Sequence, residues 1–280
     1  NKAAREMRSR IEELLERPIG GMWVGTFHGL AHRLLRQHWR EANLPENFQI
    51  LDSDDQLRLI KRLSKALGIN EDKWPPRQVQ WYINAQKDEG LRAANIEHYG
   101  DEFTRTMLTV YTAYEEACQR GGMVDFAEIL LRAHELWLNN PGLLDHYQRR
   151  FSHILVDEFQ DTNAVQYAWL RVLAGGNNHL MVVGDDDQSI YGWRGARIEN
   201  IQQFNKDFTG ADIIRLERNY RSTSTQPPDC QQPGPAGQRA VDGGPRRRSH
   251  FALRGVQRAG RSQIHCGSAA GLAEHRTSPQ

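Results

Sequence analysis

The sequence predicts an α/β protein: a parallel-sheet lobe interrupted by an all-helical insertion and followed by a disordered tail. Three observations carry this. Two short apolar runs, "HILV" and "HLMVV", each end in acids and are separated by one helix-length segment. Residues 53–120 show helical periodicity throughout. After about residue 225, periodicity and lysine both disappear.

The whole chain sets the bounds. At 280 residues with 39% hydrophobic content, it is long enough for one large domain or two ordinary ones. No apolar stretch reaches membrane-spanning length, and the N-terminus has no signal-peptide pattern. Cys118, Cys230 and Cys266 are too far apart for a metal-ligand motif or a disulfide framework, which fits a reducing compartment. The formal charge of +1 conceals a split: residues 1–225 carry a net −4 and residues 226–280 a net +5. Bulk charge therefore does not mark the main body as a nucleic-acid binder, and any such site has to be local. Eleven histidines show no metal-ligand spacing.

The elements follow in order. Residues 1–17 predict a helix, with Ala3, Met7, Ile11 and Leu14 on one face. The chain starts without Met and inside this helix, which predicts a fragment. "MWVGTFHGLAHRLLRQHW" (22–39) predicts a short strand, a turn at Gly25 and a helix. Ser53 is a suitable N-cap for a helix with Leu57, Ile60, Leu63 and Leu67 on one face, ending at Gly68. A second helix starts after Pro76. A third carries Met107, Val110, Tyr111, Tyr114 and Cys118 and ends at Gly121-Gly122.

"HILVDE" then predicts a buried strand. "NAVQYAWLRVLAGG" predicts a helix with Val165, Trp169 and Val172 inward, and "HLMVVGD" a second strand. Strand, helix and strand of these lengths imply parallel pairing through a right-handed crossover. Ligands of such sheets sit at the carboxyl ends of the strands, where this chain has Asp157-Glu158 and Asp185-Asp186-Asp187. Two acidic strand ends suit a cation, or a cation carrying phosphates.

Residues 226–280 are rich in Arg, Gly, Pro, Gln and Ala. They read either as a basic disordered tail or, preferably, as translation in a shifted frame, and they are excluded from the predicted fold.

Three segments carry chemistry. In "VDEFQDT", Asp157 at a strand end is placed to hold Mg²⁺ on nucleotide phosphates, and Glu158 to orient and deprotonate an attacking water. The same residues alone would also fit a helix start capped by Asp161 or Thr162 with solvated acids. In "VVGDDDQSIYGWRGA" (182–196), Gln188 is a neutral amide beside the acids, able to touch both a terminal phosphate and the attacking water. Tyr191, Trp193 and Arg194 on a glycine-containing loop suit stacking on unpaired bases and contact with their phosphates. In "LERNYRSTS" (216–224), Arg221 suits charge stabilisation in phosphoryl transfer and Tyr220 suits stacking on adenine.

These segments, with "NKAAREM", "GTFHGLAHRLL" and "GGMVDFAEILL", resemble in sequence and order the successive motifs of the UvrD/Rep/PcrA superfamily-one DNA helicases. The resemblance covers residues 1–225 nearly continuously. It implies a RecA-like lobe of the P-loop NTPase type, lobe 1A, over 1–52 and 121–218. A helical 1B subdomain would occupy 53–120, and the second lobe, 2A, would begin at 219–225. It implies ATP and Mg²⁺ as cofactors, with Asp157 as metal ligand and Glu158 as catalytic base. Gln188 would couple γ-phosphate to DNA, Arg221 would be a cis arginine finger, and Tyr220 would lie against adenine. Thr26 and His28 would contact DNA, and bases would step over Phe126, Tyr191 and Trp193. The implied partners are single-stranded DNA, single-/double-strand junctions and DNA repair proteins of mismatch and nucleotide-excision repair. The implied location is the bacterial cytoplasm at the nucleoid.

The pattern is incomplete. No G-x-x-x-x-G-K-[ST] occurs, and "GVQRAGRS" (255–262) approaches it only with Arg261 in place of Lys. The chain by itself is therefore expected to lack ATPase and unwinding activity and to retain weak, salt-sensitive single-strand binding. Two other classes remain open: a non-catalytic single-stranded-DNA-binding module, and a metal-dependent nuclease using Asp157, Glu158, Asp185 and Asp187.

Overall fold

The computed structural model describes residues 2–97, 100–175, 179–185, 199–216 and 250–256. Helix α1 (Lys2–Leu15) is present, but its periodic face is not packed: Leu14 is 83% exposed and Met7 is exposed too. The strand expected at 22–25 does not form; those residues are an irregular lead into α2 (Phe27–Gln37).

Strand β1 (Gln49–Ile50) and β2 (Met123–Val124), neither foreseen, pair in parallel, Gln49 with Met123 and Ile50 with Val124. Between them lie α3 (Ser53–Ala66), α4 (Pro76–Asp88) and α5 (Glu102–Gly121). The two-residue ladder thus clasps both ends of the helical segment. Asp52, not Ser53, caps α3, its side chain accepting from Asp55 N at 2.7 Å. The end of α5 requires Gly122, which has φ 60° and sits where an added Cβ would come 2.5 Å from Pro45 Cγ. The three helices share a core of Leu59, Ile60, Val79, Ile83, Met107, Val110, Tyr111 and Tyr114; the α5 face is as its spacing predicts, whereas of the α3 face only Ile60 is buried in it and Leu67 is exposed.

Helices α6 (Phe126–Asn139) and α7 (Pro141–Arg150) follow. A second core joins α2, α6 and α8 (Ala164–Ala174) through Leu34, Leu35, Leu130, Trp137, Val165 and Trp169, with Trp137 stacked on Trp169 at 6.2 Å. Helix α8 is buried on two sides. Val165, Trp169 and Leu173 face this core, while Tyr167, Leu170 and Ala174 face the larger sheet.

That sheet has the order β3-β4-β6-β5. Strand β3 (His153–Val156) pairs in parallel with β4 (His179–Asp185), as the sequence predicts. After α9 (Glu199–Asp207), β5 (Asp212–Leu216) runs in the same direction. Two expectations are corrected. First, β3 is not buried. Ile154 and Val156 face the helices, but Leu155 is 74% exposed, because β3 is an edge strand covered on one face. Second, residues 250–256 of the excluded tail form β6 (His250–Val256), antiparallel to both β4 and β5. Ladder pairing uses backbone N–H and C=O groups, so a segment without side-chain periodicity can still complete it.

Strand β6 also bears on the near-match "GVQRAGRS". Gly255 and Val256 lie within the strand, and Val256 pairs with His179 at the start of β4. The chain therefore leaves β6 at the end of the sheet opposite Asp185. Residues 257–262 of the near-match lie outside the described residues.

Candidate functional site

Strand β3 stops at Val156, so Asp157 and Glu158 stand just beyond its carboxyl end, both exposed. Asp157 Oδ1 accepts from the Glu158 backbone N–H at 3.0 Å. Glu158 adopts a left-handed backbone conformation, φ 51° and ψ 44°, which costs about 1–3 kcal/mol for a residue with a Cβ and persists only where the surroundings impose it. They do. Phe159 is fully buried against Phe204 and Tyr167, anchoring a single 3-10 turn over Phe159–Asp161. Thr162 Oγ1 donates to Phe159 O at 2.7 Å, and Asn200 Nδ2 on α9 donates to Thr162 O at 2.9 Å.

Gln160, 1% exposed, spans the gap between the two strand ends. Its Nε2 donates to Glu158 Oε2 at 2.7 Å, and its Oε1 accepts from the Asp185 backbone N–H at 3.1 Å. The sequence reading gave Gln160 no role; the available signal was a neutral amide set inside a run of acids. Burial and the charge of Glu158 raise the Asp161 pKa. The expected caps Asp161 and Thr162 are replaced by Asn163, which makes a capping box with Gln166 at the start of α8.

Among the described residues no lysine or arginine pairs with Asp157 or Glu158. Solvated, unpaired carboxylates at a strand end suit a hydrated cation that keeps most of its ligands from water and phosphate, as Mg²⁺ does. Among the described residues no group of three or more His, Cys, Asp or Glu is set to hold a metal ion by itself. The four-carboxylate arrangement of a two-metal nuclease is thus not assembled by Asp157, Glu158 and Asp185; Asp187 lies outside the described residues. So do Gln188, Tyr191, Trp193, Arg194, Tyr220 and Arg221.

A second group forms where α2 and α6 begin side by side. Thr26 caps α2, its Oγ1 accepting from Gly29 N at 3.3 Å, and its exposed hydroxyl keeps a hydrogen to donate. His28 is the second residue of α2, its ring 6.3 Å from that of Phe126 in an edge-to-face arrangement. Burial lowers the His28 pKa, against a backbone hydrogen bond to Phe126 that raises it, so the imidazole is neutral at pH 7. Phe126, the first residue of α6, is 56% exposed. Three of the predicted DNA-contacting residues therefore meet on one surface.

Behind Phe126, Asp125 accepts from four donors: Gln56 Nε2 (3.3 Å) of α3, Lys87 Nζ (2.7 Å) of α4, Tyr114 Oη (2.8 Å) of α5, and the Glu128 backbone N–H (2.7 Å). Lys87, 1% exposed, also pairs with Glu128 at 2.9 Å. Burial alone would lower the Lys87 pKa, but Glu128 and Asp125 hold it above the ordinary lysine value. Glu128 is in turn held well below the usual carboxylate range, because Lys87, Arg92 and Arg132 outweigh its burial.

Asp88, the last residue of α4, ties the helical segment to the acidic turn by accepting from Asn163 Nδ2 at 2.9 Å. Burial, then the charges of Glu89 and Asp125, push its pKa up to about 7. Between its ordinary value and 7 the folded state holds a proton that the unfolded chain has lost. Stability therefore falls as pH rises through that window. Asp88→Asn keeps an acceptor for Asn163 and removes the charge. It is expected to raise Tm at about pH 8 and to match the parent at about pH 4, as thermal melts across pH will show.

Among the described residues no helix is long and apolar enough to cross a membrane. Residues 1–209 match the UvrD/REP helicase N-terminal domain. The chain is 67% identical over 224 residues to the DNA helicase II of Escherichia coli K12, covering 80% of this chain and 31% of that protein. It is 58% identical over 228 residues to the DNA helicase II of Haemophilus influenzae, and 40% identical over 226 to the ATP-dependent DNA helicase PcrA of Staphylococcus aureus. The chain thus spans about a third of the length of the curated relatives it matches. With its acidic strand ends and its Thr26–His28–Phe126 surface in the matched region, this chain belongs to the UvrD/REP helicase family.

Proposed function

We propose that this chain is the nucleotide- and DNA-contacting part of the first RecA-like lobe, with its 1B-type helical insertion, of an ATP-dependent DNA helicase that translocates 3′→5′ on single-stranded DNA. The observation that carries the reading is the acidic turn. Glu158 is fixed at a strand end by a buried anchor and an amide clamp, beside the exposed Asp157.

Asp157 would hold Mg²⁺, which with bound ATP supplies the phosphoryl group and neutralises its charge. Glu158 would orient the attacking water and accept its proton. Thr26 and His28 would hold the DNA backbone, with Phe126 offering a face to a base. Gln188, Tyr191, Trp193, Arg194, Tyr220 and Arg221 keep the roles that the family resemblance implies. Single-/double-strand junctions and repair proteins are the proposed partners, and the bacterial cytoplasm the proposed location.

The test is a chimera in which this chain's matching segment replaces its counterpart in the E. coli relative. DNA-stimulated ATP hydrolysis and unwinding are the expected result, and an inactive chimera overturns the reading. The 280-residue chain alone is expected to hydrolyse no ATP, but to bind single-stranded DNA in filter assays at about 50 mM salt and much more weakly at about 200 mM. Phe126→Ala should weaken that binding by about 1–3 kcal/mol. Unchanged binding would remove Phe126 from the interface.

The non-catalytic binding module remains the second reading for the chain alone. It is favoured by the Thr26–His28–Phe126 surface, on which Thr26 and Phe126 are exposed.

A further inference from the structure

We propose that Gln160 is a positioning residue for the hydrolytic step, holding the Glu158 carboxylate through one end of its amide while the other end is fixed to the last residue of β4. The inference rests on the reading of Glu158 as the catalytic base.

The geometry assigns the two ends different jobs. Nε2 at 2.7 Å from Glu158 Oε2 occupies one carboxylate oxygen and leaves Oε1 to face solvent or a water. A carboxylate on an exposed side chain is otherwise free to rotate, and a misplacement of about 1 Å in a catalytic group can cost about 10²-fold in rate. Oε1 of Gln160 takes the backbone N–H of Asp185, the last residue of β4. Gln188 follows three residues later in the sequence. The amide therefore ties the base to the strand end from which the proposed phosphate-sensing residue departs.

The turn makes the tie rigid. Gln160 is itself buried, next to the fully buried Phe159, and Glu158 is locked in a left-handed conformation that removes slack from the two intervening bonds. Shorter or apolar side chains cannot make both contacts: an amide at this length is the neutral group that donates to a carboxylate and accepts from an N–H at once.

Two variants of the chimera test this. Gln160→Met fills a similar volume without an amide. Gln160→Glu keeps an acceptor for the Asp185 N–H but sets a second carboxyl group against Glu158 in place of the amide donor. Both are expected to lower kcat for DNA-stimulated ATP hydrolysis about 10- to 100-fold, with KM for ATP within about twofold. A purely structural role predicts instead that KM and Tm change while the kcat of Gln160→Met does not.

Glu158→Gln, run in parallel, separates the two ideas. An active Glu158→Gln variant overturns the assignment of the base itself. An inactive one, alongside Gln160 variants of normal kcat, overturns only the role given to Gln160.

Discussion

Glu158→Gln in the chimera is expected to cut the rate of DNA-stimulated ATP hydrolysis by about 10²–10⁴-fold, the usual contribution of a positioned general base. The substitution keeps the shape of the side chain and an oxygen for Gln160 Nε2, so the turn over Phe159–Asp161 should stand. What is lost is the proton acceptor. KM for ATP should stay within a few-fold, because ATP would be held by other groups, Asp157 through Mg²⁺ among them. Steady-state kinetics with saturating single-stranded DNA make the comparison. A variant with near-normal kcat would place the base elsewhere and leave the strained backbone at Glu158, φ 51°, without its functional explanation.

Lys87→Met is expected to destabilise the 280-residue chain by about 3–5 kcal/mol, the usual result of leaving a buried charge without its partner. Lys87 is the shared cation of Asp125 and Glu128, at 2.7 and 2.9 Å, and its side chain has almost no contact with water. Removing it leaves the buried Asp125 carboxylate without a cation, while Glu128 keeps Arg92 and Arg132. Urea denaturation gives the number. Lys87→Met combined with Asp125→Asn should recover part of the loss, since the charge left without a cation is then gone.

The pH dependence follows from Glu128, whose folded pKa is depressed. Its stabilisation is present above its ordinary value and is lost as pH falls through the folded one. Without Lys87 that loss should begin at a higher pH than in the parent.

How much of this was readable in advance depended on the range of the interaction. Strands β3 and β4, the helix between them, and the Gly122 stop of α5 are written in local runs and single residues, and the structure has them. The caps were legible only to within a residue or so: Asp52 instead of Ser53, Asn163 instead of Asp161 or Thr162. Both pairs are capping residue types, so composition cannot choose between them.

The two-residue strands β1 and β2 have no periodicity to detect, and their pairing spans the whole helical segment. The exposure of Leu155 is a property of what packs on the sheet, which an apolar run does not encode. At the site, Asp157 and Glu158 announced themselves as adjacent acids at a strand end. Gln160 did not, because its meaning lies in a bond to Asp185, 25 residues away. Lys87 was missed for the same reason: it sits 38 residues from Asp125, in a segment read only for its helical face.

The convergence of Gln56, Lys87 and Tyr114 on one carboxylate sets a rule for how this molecule can be altered. The helices between Ser53 and Gly121 look like a cassette that could be swapped for one from a distant relative, since they enter and leave through adjacent strands. They are not interchangeable in that way. Each of the three helices contributes one donor to Asp125, and Asp125 caps the helix that begins with Phe126. A transplanted cassette lacking any one donor would be grafted at its ends and mismatched at its centre. Sequence drift meets the same constraint, so these four positions are expected to change together or not at all.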